Sequence, residues 1–161
     1  SPFFAKIGQV PWIILIMAIA VIIVHIFLTY TKHGRYMYVI GGNKEAARLS
    51  GIPVNRYKTA AYLLSALFAA IGGIVLASRV MTAEINAGSP YLMDSVAAAF
   101  IGFSVLGAGK PNAFGTFVGA VLIGILQNGL VMMSVPYYAM DIVKGTVLAF
   151  ALGITYYKQK H

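Results

Sequence analysis

Four carboxylates, three histidines and no cysteine are the whole stock of acid–base and metal-binding side chains in these 161 residues. Enzymatic chemistry at a membrane face needs such groups clustered, with a nucleophile beside its base or ligands at metal spacing. Glu45, Glu84, Asp94 and Asp141 are isolated from one another, and His25, His33 and His161 are scattered. No catalytic residue and no metal ligand is therefore assigned. The lack of Cys removes disulfides, thiolate catalysis and Cys-ligated metals. A phosphate-binding loop needs G-x-x-x-x-G-K-[ST]. Gly102 and Gly107 have that separation, but Ala108 follows where Lys is required, and Lys110 precedes Pro111 instead of a hydroxyl residue. Nucleotide binding in this chain is rejected, and Gly107 to Asn112 reads as a turn.

What remains is the chemistry of recognition. The polar stretch Thr31 to Lys58 holds Lys32, Arg35, Lys44, Arg48, Arg56 and Lys58, six of the twelve basic residues. Its centre reads as a short helix. Asn43 caps the start, and Glu45 sits in the first turn, at the positive end of the backbone dipoles. Ala46, Ala47, Arg48 and Leu49 favour helix, Gly51 ends it and Pro53 prevents continuation. A short helix held between two membrane spans is a natural docking element for a soluble partner. Elsewhere, Phe103, Ser104, Gln127 and Asn128 are candidates for a substrate pathway. The amides can bond either the hydroxyls of a ligand or a neighbouring helix. Asp94 reads as a helix cap or a substrate ligand. Asp141 and Lys144, three apart, are expected to pair on one helix. His25 interrupts an apolar run and reads as a neutral group facing another helix, or as a functional one.

The elements that must carry these groups follow from composition. The chain is 60% hydrophobic and 10% charged, whereas a soluble domain carries about 25% charged residues. An all-α, polytopic transmembrane helix bundle of about five spans is expected, near residues 12–28, 59–77, 93–107, 114–133 and 140–156. The third is short, as a broken or re-entrant helix would be. Trp12 and Tyr156-Tyr157 suit interfacial belts. Gly72-Gly73, Gly115 with Gly119, and Ala120 with Gly124 predict close helix contacts. The net charge of +8 does not signal nucleic acid, because the basic residues lie between apolar runs. Residues 32, 35, 44, 48, 56, 58, 110, 158 and 160 fall on one side and 6, 79 and 144 on the other. The positive-inside rule then places the 31–58 loop and the C-terminus in the cytoplasm.

Glu45-Ala46-Ala47, three residues, then Gly51 resembles the "EAA" loop of bacterial ABC-importer permeases. The fuller run His33-Gly34-Arg35-Tyr36, Gly41-Gly42-Asn43 and Glu45 to Ile52 is similar to the ribose-type monosaccharide permeases, as is Gly107 to Leu130. The likeness covers residues 30 to 161. It implies the C-terminal half of an inner-membrane permease subunit that couples ATPase motion to monosaccharide import. Asn43, Glu45, Ala46, Ala47, Arg48 and Gly51 would then meet the ATPase. The resemblance implies no cofactor in this chain, with ATP and Mg on a separate ATPase subunit. It also implies a periplasmic or lipid-anchored sugar-binding protein and a second permease copy, in a homodimer or heterodimer within the bilayer. The alternatives are a membrane-embedded enzyme on lipid-linked substrates and a non-transporting accessory subunit.

Overall fold

Away from water, a backbone N–H finds its acceptor most readily within its own segment, so an apolar chain of this kind closes its hydrogen bonds in helices. A computed structural model describes residues 2–105 and 109–160, and they are helical with no strand among them. The elements are α1 (Pro2–Ile7), α2 (Val10–Tyr30), α3 (Lys32–Gly42), α4 (Lys44–Leu49), α5 (Val54–Val80), α6 (Ser89–Val105), α7 (Ala113–Met132) and α8 (Tyr137–Lys160). Helices α2, α5, α7 and α8 are long and apolar enough to cross a membrane. Helix α6 has 17 residues, a rise of about 25 Å, against a hydrocarbon thickness of roughly 30 Å. The expected end of the third span at Gly107, the start of the Gly107-Ala108 turn and the His161 terminus lie outside the described residues.

The chain forms two units, Ser1–Ala87 and Gly88–His161. In the first, the stretch 31–58 differs from a loop with one helix at its centre. Residues 32–42 are already helical, and α5 begins at Val54 instead of near Thr59. The reason is local. Thr31 leaves the helical conformation and its side chain accepts from the Gly34 N–H at 3.1 Å, which starts α3 at once. The turn from α2 into α3 is tight: a Cβ on Gly34 would lie 2.4 Å from the Phe27 carbonyl oxygen and 2.6 Å from the Leu28 Cα. At the other end of the unit α1 packs on α5. Gly8 lies against Ser78 there, and the buried Ser78 hydroxyl donates to the Phe4 carbonyl.

In the second unit α6 and α7 run antiparallel in contact. A Cβ on Gly102 would meet the Gly115 carbonyl carbon at 2.3 Å, and one on Gly119 would meet the Ala98 oxygen at 2.3 Å. Small residues four apart on α7 thus let two backbones touch, as the Gly115/Gly119 spacing predicts. Beside this crossing, Ala97, Ile101 and Ile123 form a buried cluster backed by Val147, Leu148 and Ala151 of α8. Beside Gly72, Gly73 and Gly124, added Cβ atoms would meet nothing within 4 Å among the described residues.

Candidate functional site

Helix α4 is built from both ends. The Asn43 side-chain oxygen accepts from the N–H groups of Glu45 at 3.1 Å and Ala46 at 3.0 Å, two donors that a six-residue helix leaves unpaired. At the far end the Ile52 N–H donates to the Ala47 carbonyl and the Gly51 N–H to the Arg48 carbonyl, both near 3 Å. This paired pattern is a Schellman closure, and it requires a left-handed residue, which Gly51 provides with φ of 80°. Glu45 and Arg48 pair across one turn at 2.6 Å with side chains 64% and 70% exposed. Such a pair contributes little stability, but it displays one charge of each sign on an exposed face.

Asn43, Glu45, Ala46, Ala47, Arg48 and Gly51 therefore come together on one short helix and its caps. Ala47 has a different place from that expected. It is fully buried in its own chain, so its small size lets α4 sit down on α3 and α5, while Ala46 stays exposed. Behind α4, His33 Nδ1 lies 2.9 Å from the Tyr57 hydroxyl, and Tyr36 meets the Tyr57 ring edge-on at 5.7 Å. These contacts tie α3 to the first turn of α5. Burial pushes the neighbouring Tyr38 hydroxyl above its ordinary pKa.

The four pathway candidates are not brought to one place. Phe103 and Ser104 are half-buried on α6, beside Gly102 and hence at the level of Gly115. Gln127 and Asn128 lie near the other end of α7, about 18 Å of helix away at 1.5 Å per residue. Asn128 is exposed. Gln127 is half-buried and its Nε2 donates to Asp94 Oδ2 at 2.6 Å. Lys144 Nζ stands 2.9 Å from the other carboxylate oxygen, Oδ1. That approach is an ion pair without hydrogen-bond alignment, since Oδ1 is buried and has no aligned donor among the described residues.

Two sequence expectations are corrected here. Asp94 lies inside α6, past its first turn, and does not cap it. Lys144 reaches across to Asp94 instead of back to Asp141. The cause is solvation. With Asp94 12% and Lys144 20% exposed, each charge needs a partner inside the unit, whereas Asp141 is exposed. His25 is half-buried and meets the Tyr30 ring edge-on at 6.5 Å.

A family model described as the branched-chain amino acid transport system / permease component matches residues 1–152. The chain belongs to that permease family. The ribose import permease protein of Escherichia coli (strain K12) is 39% identical over 150 residues, covering 93% of this chain and 47% of that relative. The ribose import permease protein of Bacillus subtilis (strain 168) is 39% identical over 84% of the chain and 42% of its own length. The xylose transport system permease protein of Escherichia coli (strain K12) is 43% identical over 77% of the chain and 32% of its own length. The chain thus spans about half the length, or less, of the curated relatives it matches. No solved structure matches it. Family membership and four membrane-length helices make this a multi-pass membrane protein.

Proposed function

We propose that this chain belongs to the permease subunit of an ATP-driven importer for a monosaccharide, and that α4 is where the ATPase docks. The observation that carries the reading is the doubly capped, exposed helix from Lys44 to Leu49, held in a polar connection between membrane-length helices α2 and α5. Relatives named for ribose and xylose, both five-carbon sugars, favour a pentose as cargo. ATP and Mg belong on the partner ATPase. A sugar-binding protein delivers the cargo on the opposite face, and a second permease copy completes the path. The protein sits in the bacterial inner membrane with the α3–α4 connection and the C-terminus in the cytoplasm, as its basic residues favour.

The mechanism is one of differential docking. ATP closes the ATPase pair, and α4, rigid between its caps, passes the displacement to α2 and α5. Binding drives this only if the ATPase prefers one permease conformation over the other. Glu45, Ala46 and Arg48 are the exposed contacts, and Asn43 and Gly51 shape the helix that presents them.

The test is a gentle-detergent pull-down of the full-length parent from its native membrane, with partners identified by mass spectrometry. Co-recovery of an ABC ATPase and a sugar-binding protein is expected. Recovery of neither from abundant, stable protein overturns the reading. Glu45→Lys places a third positive charge beside Lys44 and Arg48. In this reading Glu45 pairs with a basic group on the ATPase, so the variant sets like charges against each other there and is expected to weaken ATPase recruitment at least about tenfold, while membrane insertion is retained. Unchanged affinity would remove Glu45 from the interface.

A further inference from the structure

Within the second unit, a cavity of about 440 Å³ opens between α6 and α8, with Lys144, Asp141, Tyr137 and Ser89 on its wall. That volume falls in the usual range for small-molecule sites, roughly 300–1,000 Å³. Met93 and Leu148 add apolar surface beside the polar groups.

Lys144 is anchored there without being saturated. Its ammonium has three N–H donors. It stands 2.9 Å from Asp94 Oδ1, yet that oxygen receives no aligned hydrogen bond among the described residues. A cation 20% exposed has lost most of its water, and its donors need acceptors. One turn back on the same helix, the exposed carboxylate of Asp141 faces the same cavity and offers acceptors only. The hydroxyls of Tyr137 and Ser89 can do either.

The charges select the ligand class. One ammonium stands among two carboxylates, Asp94 and Asp141, so an anion such as phosphate is opposed by the pair. A cation is opposed by Lys144. A neutral molecule bearing several hydroxyls meets neither objection, because each hydroxyl can donate to Asp141 and accept from Lys144.

We propose that this cavity is a contact site for a neutral polyhydroxylated molecule of monosaccharide size. Lys144 and Asp141 are its charged hydrogen-bonding pair, and Asp94 with Gln127 are positioning residues that hold Lys144 at the wall. The site deepens the sugar-importer reading and rests on it for the identity of the cargo. It differs from the pathway suggested by Phe103, Ser104, Gln127 and Asn128, of which only Gln127 takes part, and then through Asp94.

The experiment uses the full-length parent in lipid nanodiscs, with Gly145→Cys as a reporter and any cysteine outside this stretch replaced by serine. Gly145 lines the cavity, and a Cβ there meets nothing within 4 Å. This stretch has no cysteine of its own. The rate of maleimide labelling is measured with D-ribose, D-xylose, glycerol and sodium phosphate as separate probes. Protection of at least about threefold by a pentose, reduced in Asp141→Asn and in the Asp94→Asn/Lys144→Met double variant, is the expected result. The double variant removes both charges together, so loss of protection there does not come from a stranded carboxylate. Equal protection in the variants, protection by phosphate alone, or none by either pentose overturns the proposal. Protection by glycerol matching that of the pentoses overturns a monosaccharide-sized site in favour of a lipid-headgroup fragment. ATPase recovery in the pull-down is read separately. If the ATPase is recovered and the pentoses do not protect, the site fails and the importer reading stands. If pentoses protect without an ATPase, the site stands and ATP coupling fails.

Discussion

The two units solve opposite problems with their polar groups. In the first, charge is gathered on the connection between α2 and α5, where Glu45 and Arg48 pair in the open. In the second, Asp94, Gln127 and Lys144 are drawn from three helices into a partly buried contact. Packing follows the same division. Helix α2 buries none of its residues, whereas α7 buries Gly115, Gly119 and Ile123. The first unit keeps its apolar flanks and polar helix available for other surfaces. The second builds its own interior. An exposed pair can be changed at little cost to folding, while a buried one cannot be half removed.

The sharpest way to break this contrast is at the helix crossing. Gly102→Leu forces a whole side chain into the Gly115 backbone, where no rotamer change can relieve the overlap. With backbone on the receiving side, loss of folded protein is expected by size-exclusion in detergent. Gly124→Ala, with open space beside it, is expected to elute as the parent does. Next in size is Lys144→Met, which strands the Asp94 carboxylate and is expected to cost about 3–5 kcal/mol in a denaturant titration. The Asp94→Asn/Lys144→Met double variant should recover most of that. If the single variant were as stable as the parent, the ion pair would not be part of the interior. In the first unit Asn43→Ala removes a cap, for about 1 kcal/mol of local helix stability. It is expected to appear as faster amide exchange at Glu45 and Ala46 with an unchanged global unfolding midpoint. The smallest effect belongs to Arg48→Ala, within about 0.5 kcal/mol, since its ion pair is screened. A large global loss there would erase the distinction between the units.

The all-helical membrane architecture was legible because hydrophobic runs and basic connections are local signals. So were the caps of α4: Asn43 and Gly51 act within a few residues of themselves, and the sequence carries both. The Gly115/Gly119 face was legible for the same reason. What escaped was contact between distant segments. Lys144 has a carboxylate three residues away in Asp141, and nothing in the chain order says that one fifty residues back would win. Burial decides it, and burial depends on how α6 and α8 meet. The inward face of Ala47 escaped likewise, because a six-residue helix has too few turns for periodicity to mark a side. Gly72-Gly73 finds no neighbour among the described residues, so whatever that spacing serves is not played out within this stretch.

The turn at Gly34 has a mechanical consequence. Where two helices meet through side chains, a push is partly absorbed as rotamers shift and the contact creeps. At Gly34 the backbone of α3 rests on the backbone of α2, with Thr31 bonded on both sides of the bend, to the Phe27 carbonyl and to the Gly34 N–H. Such an elbow has low compliance. A force delivered to α4 and passed into α3 would tilt α2 as a stiff lever, with little of the stroke lost at the joint.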